Sequence, residues 1–409
     1  MNNRFKKAFF AVLAVSVFVF LQTAYTLPEH IMMLEGEEHS INIPYPFSLS
    51  EVSEAGGNFT KTNTNTLMPQ NQGSYNFDFR LMGIPFKSAT VDVVKPMVVI
   101  PGGQAVGIKL YINGLLVVGL SDIESGEKTL SPGKAAGIES GDLITEINNK
   151  RLESAADLSR IIQEGAGGEV EATIIRDGKP ISKKITPVYY DGSGDYKIGV
   201  WVRDSAAGIG TITFINPDDN SFGALGHGIS DVDTGDIINI KNGEITGCSI
   251  SSIIRGEVGS PGELRGTFDG NTIGDITVNR DDGIFGKIEN AADESEAIPI
   301  ALRTQVRTGE AHIYSSINGS EVEKYSIIIE RTSHQSKRSA KGMVIRVTDE
   351  RLLEKTGGIV QGMSGSPIIQ DGRLAGVVTH VFVSDPTRGY GMFSEWMVES
   401  LAEVKNAIN

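Results

Sequence analysis

Residues 357–378 read GGIVQGMSGSPIIQDGRLAGVV. Apolar runs rich in β-branched residues flank the tight cluster GMSGSP. A serine held between glycines at the mouth of a strand is either an ordinary turn residue or a presented nucleophile. Gly362 and Gly365 permit a sharp backbone turn and close approach of a substrate. Ser364 lies between them, and the N–H groups of Gly362 and Ser364 are candidate donors to an oxyanion. Ser366 is the competing hydroxyl. It precedes Pro367, a position biased towards extended backbone, so it is expected to face inward. The motif alone does not decide between turn and nucleophile, because a serine nucleophile also needs a base and a group that orients it.

Six histidines are available for the base. His30 and His39 lie in an N-terminal extension, and His334 lies in a charged polar loop. His312 and His380 occupy strand-like runs and read as structural. His227, in FGALGHGISD, has glycine on both sides and an apolar strand running up to it. It is therefore expected at a strand end, well over a hundred residues before Ser364. The orienting carboxylate is more open: Asp231, Asp233, Asp236, Asp275 and Asp349 are all candidates. Asp349 follows the strand-like GMVIRV closely upstream of the serine, but it also suits a helix cap for ERLLEK.

The remaining composition narrows the class. A length of 409 residues suits two or three domains. Glycine, 48 residues, is well above its usual share of about 7%. With many short Val/Ile/Thr runs, that favours β architecture with tight turns. A formal net charge of −14 and the lack of a basic stripe argue against nucleic acid as a partner. The single cysteine, Cys248, forms no internal disulfide and reads as a buried thiol; no metal-ligating cluster or cofactor motif is visible. At the N-terminus, Arg4, Lys6 and Lys7 precede an uncharged apolar run from Ala8 to Leu21. Residues 1–28 therefore read as a signal peptide or membrane anchor, and the rest of the chain as exported. Residues 29–97 read as an extension whose 50–76 portion, rich in Ser, Thr, Asn and Gly, is expected to be a flexible spacer.

From residue 91 to 123 the sequence is strand-like, broken at Pro101-Gly102-Gly103 and Asn113-Gly114. SPGKAAGIESGDLITEINNKRL (131–152) then carries turn signals around a strand, and Asn148-Asn149 marks a tight turn. Ser154 suits the cap of a helix with Leu158, Ile161 and Ile162 on one face. A hairpin is expected to turn at Asp177-Gly178, and a C-terminal amphipathic helix is expected over 394–409. This order resembles a PDZ domain, over about 98–190. The resemblance implies peptide binding by strand addition, with a backbone loop that captures a terminal carboxylate. It places that loop at Gly102, Gly103, Gln104, Ala105, Val106 and Gly107, with α-helix 154–164 as the other wall of the groove.

The Ser-Gly-Ser-Pro run resembles the nucleophile loop of chymotrypsin-like barrels, whereas the G-x-S-x-G elbow of α/β-hydrolases fails at Ser366. The expected fold is mainly β: a PDZ domain (98–190) followed by a chymotrypsin-like β-barrel serine peptidase domain (191–409). GALGHGISD, RVTDERLLEKTGGIVQGMSGSPI and GVVTHVFVSDPTRGYG, following the PDZ-like unit, together resemble the family of stage IV sporulation protein B. These are signalling serine peptidases of endospore-forming bacteria. The resemblance implies a triad of His227, Asp349 and Ser364. It also implies export across the forespore membrane into the intermembrane space, and self-cleavage of the chain's own N-terminal segment. The implied protein substrate is a regulatory membrane protein that restrains an intramembrane metalloprotease, whose release activates a mother-cell sigma factor. The reading from another class is a non-catalytic PDZ adaptor with an inactive protease-like domain.

Overall fold

Met1–Met97 and Val98–Asn409 form two separate units of the chain. The computed structural model describes residues 20, 22, 24, 27–41, 43, 45–51, 59–63, 66–289, 294–333, 335 and 337–408. Most of the expected signal or anchor segment, and His334, lie outside those residues. Among the described residues no helix is long and apolar enough to cross a membrane.

In the first unit β1 (His30–Leu34), β2 (Phe47–Glu51), β3 (Gly73–Leu81) and β4 (Ile84–Val94) form a sheet in the order β1-β4-β3-β2. Phe77 and Phe79 alternate along β3 and are buried with Met33 and Val91. The spacer expectation for 50–76 is therefore corrected over part of its length. Residues 73–76 begin β3, and Phe59–Asn63 pairs with Thr66–Pro69. The polar composition hid a period-two aromatic pattern that buries one face of the strand.

The second unit contains the PDZ-like layer and two barrels. Its elements are β5 (Val98–Pro101), β6 (Ala105–Leu120), α1 (Pro132–Ala135), β7 (Leu143–Ile147), α2 (Ala155–Glu164), β8 (Val170–Arg176) and β9 (Lys179–Ile185). They continue with β10 (Val200–Ile215), β11 (Ser221–Ala224), β12 (Ile240–Ile254), β13 (Glu263–Arg280) and β14 (Gly283–Ile288). Last come β15 (Gly309–Asn318), β16 (Glu321–Thr332), β17 (Met343–Val347), α3 (Glu350–Thr356), β18 (Pro367–Gln370), β19 (Arg373–Phe382), β20 (Asp385–Phe393) and α4 (Ser394–Ile408).

In the PDZ-like layer the sheet order is β9-β8-β7-β6. Ser154 caps α2 in a capping box with Asp157. The helix buries Leu158, Ile161 and Ile162 against Leu115, Val117, Ile144 and Ile174. Each such side chain contributes about 1.5–3 kcal/mol. The turns at Asn148-Asn149 and Asp177-Gly178 have positive φ at both residues, the I′ hairpin geometry that the sequence signals.

Strands β6, β12, β13, β14, β11 and β10 pair in that order, and β10 pairs back onto β6, which closes a six-stranded ring. Its interior holds Val106, Ile108, Leu110, Ile212, Phe222 and Ile284. The second barrel closes as β15-β16-β17-β20-β19-β18. The expectation of a mainly-β chain with a PDZ domain and a β-barrel peptidase domain holds, but a border at 190 and 191 does not separate the two. Residues 105–112 belong to the wall of the first barrel, while 115–120 of the same strand pair with β7 or with residues 200–203 of β10. One strand serves both modules.

Candidate active site

The nucleophile loop is built from two successive tight turns. Met363 N–H donates to Val360 O at 3.1 Å, and Ser366 N–H donates to Met363 O at 3.0 Å. In each turn the third residue is glycine at positive φ, Gly362 at +96° and Gly365 at +102°. That is the type II requirement, which only glycine meets without strain. Gly365 also lacks room for a side chain, because a Cβ there would lie 2.0 Å from Thr211 O. Thr211, on β10 of the first barrel, holds the loop from outside. Its N–H donates to Ser364 O at 3.2 Å, and its Oγ1 donates to Gly362 O at 2.8 Å. With those carbonyls anchored, the N–H groups of Gly362 and Ser364 have no acceptor among the described residues. Ser366 is fully buried, as expected from its place before Pro367.

His227 follows β11 through a left-handed turn. Leu225 and Gly226 lie at φ +70° and +69°, and Gly226 N–H donates to Ala224 O at 2.9 Å. This γ-turn carries the histidine off the barrel end towards the other barrel. Ser364, His227, Gly362 and Thr379 line one cavity of about 420 Å³ between the two barrels. Burial pushes the His227 imidazole below its ordinary pKa, partly offset by its bond to Gly228 O. With Nδ1–H donating to that carbonyl at 2.9 Å, Nε2 is the free basic nitrogen. Ser364 Oγ donates to Thr379 O at 2.8 Å rather than to His227. The arrangement is thus a serine and an imidazole in one cavity, with two amides unoccupied and the hydroxyl rotated to a resting partner.

Asp349 is not brought to His227 in this arrangement, which corrects the implied triad. It is the N-cap of α3, where Oδ1 accepts from Arg351 N–H at 3.1 Å. Its carboxylate also accepts from the Arg351 guanidinium and, at 3.2 Å, from Ser326 N–H. Its pKa lies below the usual carboxylate range: burial opposes ionisation, and the arginine and these hydrogen bonds outweigh it. The local sequence Asp-Glu-Arg at a helix start wins over the longer-range pairing. Asp231 is buried and bonded to Arg203, away from the imidazole as well.

The expected carboxylate loop is also corrected. Gly102 N–H donates to Thr213 O at 2.9 Å and Gly103 N–H to Ile212 O at 2.8 Å, while Gln104 O accepts from Ile212 N–H at 3.1 Å. Ala105 pairs with β10, and Val106 and Gly107 pair with both β10 and β12. These glycines serve close packing: a Cβ on Gly102 would lie 2.2 Å from Ile212 O. The PDZ groove itself, between β6 and α2, is filled by the chain. Ile198, Val200 and Val202 pack into the PDZ core, and Gln163 and the N–H of Ala155 tie Tyr196 and Asp204 to α2.

His380 is the residue that sequence reasoning missed. Its place in an apolar strand suggests a structural histidine. Its ring lies 5.1 Å from that of His227 and lines the same cavity. Burial, then the neighbouring His227 and Lys341, hold its pKa down to about 4. The sequence shows that it follows Thr379, but not that the Thr379 carbonyl holds Ser364. Cys248 is buried, and burial raises its thiol pKa, which fits an inert side chain.

Two family models match parts of the chain. Residues 194–398, half of the chain, match the SpoIVB peptidase S55 family, and residues 127–176 match a PDZ domain. A Thermotoga maritima protein described as "Putative zinc metalloprotease" is 29% identical over 119 residues, 29% of this chain and 22% of that protein. The match thus spans about a fifth of that relative's length. The PDZ domain of the SdrC-like protein from Listeria monocytogenes is 22% identical, with 22% of this chain and 90% of that one covered and a TM-score of 0.19. The active form of the Rv3671c protease from M. tuberculosis is 15% identical, with coverages of 48% and 74% and a TM-score of 0.28. The chain belongs to the SpoIVB peptidase S55 family and is a serine peptidase with a PDZ domain.

Proposed function

We propose that this serine peptidase works as an exported endopeptidase in spore formation, cutting itself and a regulatory membrane protein that restrains an intramembrane metalloprotease. In this reading it acts in the space between the forespore membranes, released or tethered by its N-terminal segment. Ser364 attacks the scissile carbonyl, and His227 takes the hydroxyl proton on Nε2 and later gives it to the leaving amine. The N–H groups of Gly362 and Ser364 receive the oxyanion. Gly228 O holds the imidazole tautomer, and Asp349 caps the helix that leads into the nucleophile loop. The acyl-enzyme is then hydrolysed by water.

The observation that carries the reading is the meeting of Ser364 and His227, from different barrels, in one cavity with two free amides. The Ser364 hydroxyl on Thr379 O suits a resting state, since catalytic hydrogen bonds often tighten only on substrate binding. The adaptor alternative is weakened because residues 196–204 already fill the groove it would need. Time-resolved mass spectrometry of the purified full-length chain tests the reading, wild type beside Ser364→Ala. Discrete N-terminal trimming and a fluorophosphonate adduct on Ser364, both in wild type only, are the expected results. Two intact, unlabelled proteins would sink it.

A further inference from the structure

Two large apolar side chains stand in solvent on neighbouring turns beside the catalytic cavity. Val258 is 78% exposed at the tip of the turn Glu257–Ser260, and Val383 is 53% exposed at the tip of the β19–β20 hairpin. Turn tips ordinarily carry small polar residues, so a matched apolar pair there calls for an explanation. The two turns are fixed to one another, because Gly259 N–H donates to Val383 O at 2.8 Å. Behind them Phe382 and Tyr390 pack with ring centroids 4.6 Å apart. Together with Val381 these side chains line an open cleft that carries no acidic or basic group, while the Lys341 ammonium lies 5.1 Å from the Tyr390 ring centre.

Val381 lines both this cleft and the cavity that holds Ser364 and His227. The path between them is short. Thr379, whose carbonyl holds the nucleophile, lies four residues before Val383 on one strand and its turn. At about 3.3 Å per residue, Val381 and Val383 lie about 7 and 13 Å beyond Thr379, which an extended peptide covers in two and four residues. Resting on the peptidase reading above, we propose that Val258, Val381, Val383 and Tyr390 form a substrate subsite. It takes a branched aliphatic or aromatic side chain two to four residues from the scissile bond. The neighbouring Lys341 disfavours a cation there.

Cleavage-site profiling with a mixed peptide library tests the subsite, using full-length wild type, Val383→Asp and Val383→Arg. Wild type is expected to favour Leu, Ile, Val or Phe at one position two to four residues from the cut, by about tenfold over polar residues. Val383→Asp should shift that position towards Lys and Arg, and Val383→Arg towards Asp and Glu. Opposite gains of selectivity cannot come from a folding defect, and ratios between peptides cut by one enzyme do not depend on how much of it is active. Cleavage with three coincident profiles overturns the subsite alone. No cleavage by wild type, with Ser364 unlabelled, overturns the peptidase reading and the subsite with it.

Discussion

Two glycine-rich segments, 101–107 and 360–366, lean on adjacent residues of β10, and Gly102 and Gly103 in the first and Gly362 in the second are held by opposite halves of the peptide group. Ile212 and Thr213 accept the N–H groups of Gly103 and Gly102, whereas Thr211 donates to the carbonyls of Gly362 and Ser364. The first segment is left with no free donors at those glycines and becomes barrel wall. The second has two amides without acceptors and becomes the candidate oxyanion site. Glycine content is similar in both. What separates them is the register against β10, a tertiary fact.

Paired substitutions push this comparison hardest. Both Gly102→Ala and Gly365→Ala place a Cβ near 2 Å from a β10 carbonyl oxygen, 2.2 and 2.0 Å respectively. Each should cost about 3 kcal/mol or more in thermal or denaturant unfolding. Gly365→Ala should in addition lower fluorophosphonate labelling of Ser364 by about a hundredfold or more, because the clash displaces the adjoining Ser364 N–H and loss of one oxyanion donor is worth that. Equal labelling losses in the two variants would mean that the segments do not differ as described.

A smaller effect separates the helix that leads into the loop from the chemistry of the loop. Asp349→Ala removes the cap of α3 and should cost about 1 kcal/mol of stability. In the arrangement described, labelling of Ser364 should stay within about threefold of wild type. A loss of about 10⁴-fold would show instead that the working enzyme swings the carboxylate to His227, the role implied by family resemblance.

The smallest expected change concerns pH. His227 must be neutral to accept the Ser364 proton, and burial lowers its pKa. The acid limb of the labelling profile should therefore fall below about pH 6.5, the ordinary histidine value. His380 stays neutral until about pH 4, so it adds no ionisation to the limb above that pH. His380→Gln should move it by less than about half a unit. A two-proton limb in wild type would mean that both imidazoles charge together.

Much of the site was legible because its constraints are local. Gly362, Gly365 and the glycines around His227 announce turns in sequence, and the signals at Ser154, Asn148-Asn149 and Asp177-Gly178 work the same way. Asp349 shows a local rule winning over a distant one: its helix-capping role is readable from TDERLLEK, and the structure has it there. The fate of 101–107 was not legible, because nothing within those residues says which strand takes their N–H groups. His380 was hidden for a related reason. Strand alternation assigns it a face, but not the imidazole across that face.

Strands β6 and β10 each run through both the PDZ-like layer and the first barrel, and that sharing governs how this protein can be recombined. A PDZ domain is often treated as a cassette joined to its host at two loops. Here the seam crosses two paired strands, so excision at residues 98 and 190 would remove one barrel wall and strip β10 of its partner. The irregularities mark the permissible joints. Gly114, at φ +130°, divides β6, and the register of β10 against β6 shifts between Arg203 and Ser205. A chimaera joined at those two points keeps the ring of six strands intact and exchanges only the PDZ part; one joined at the linear boundary opens the barrel.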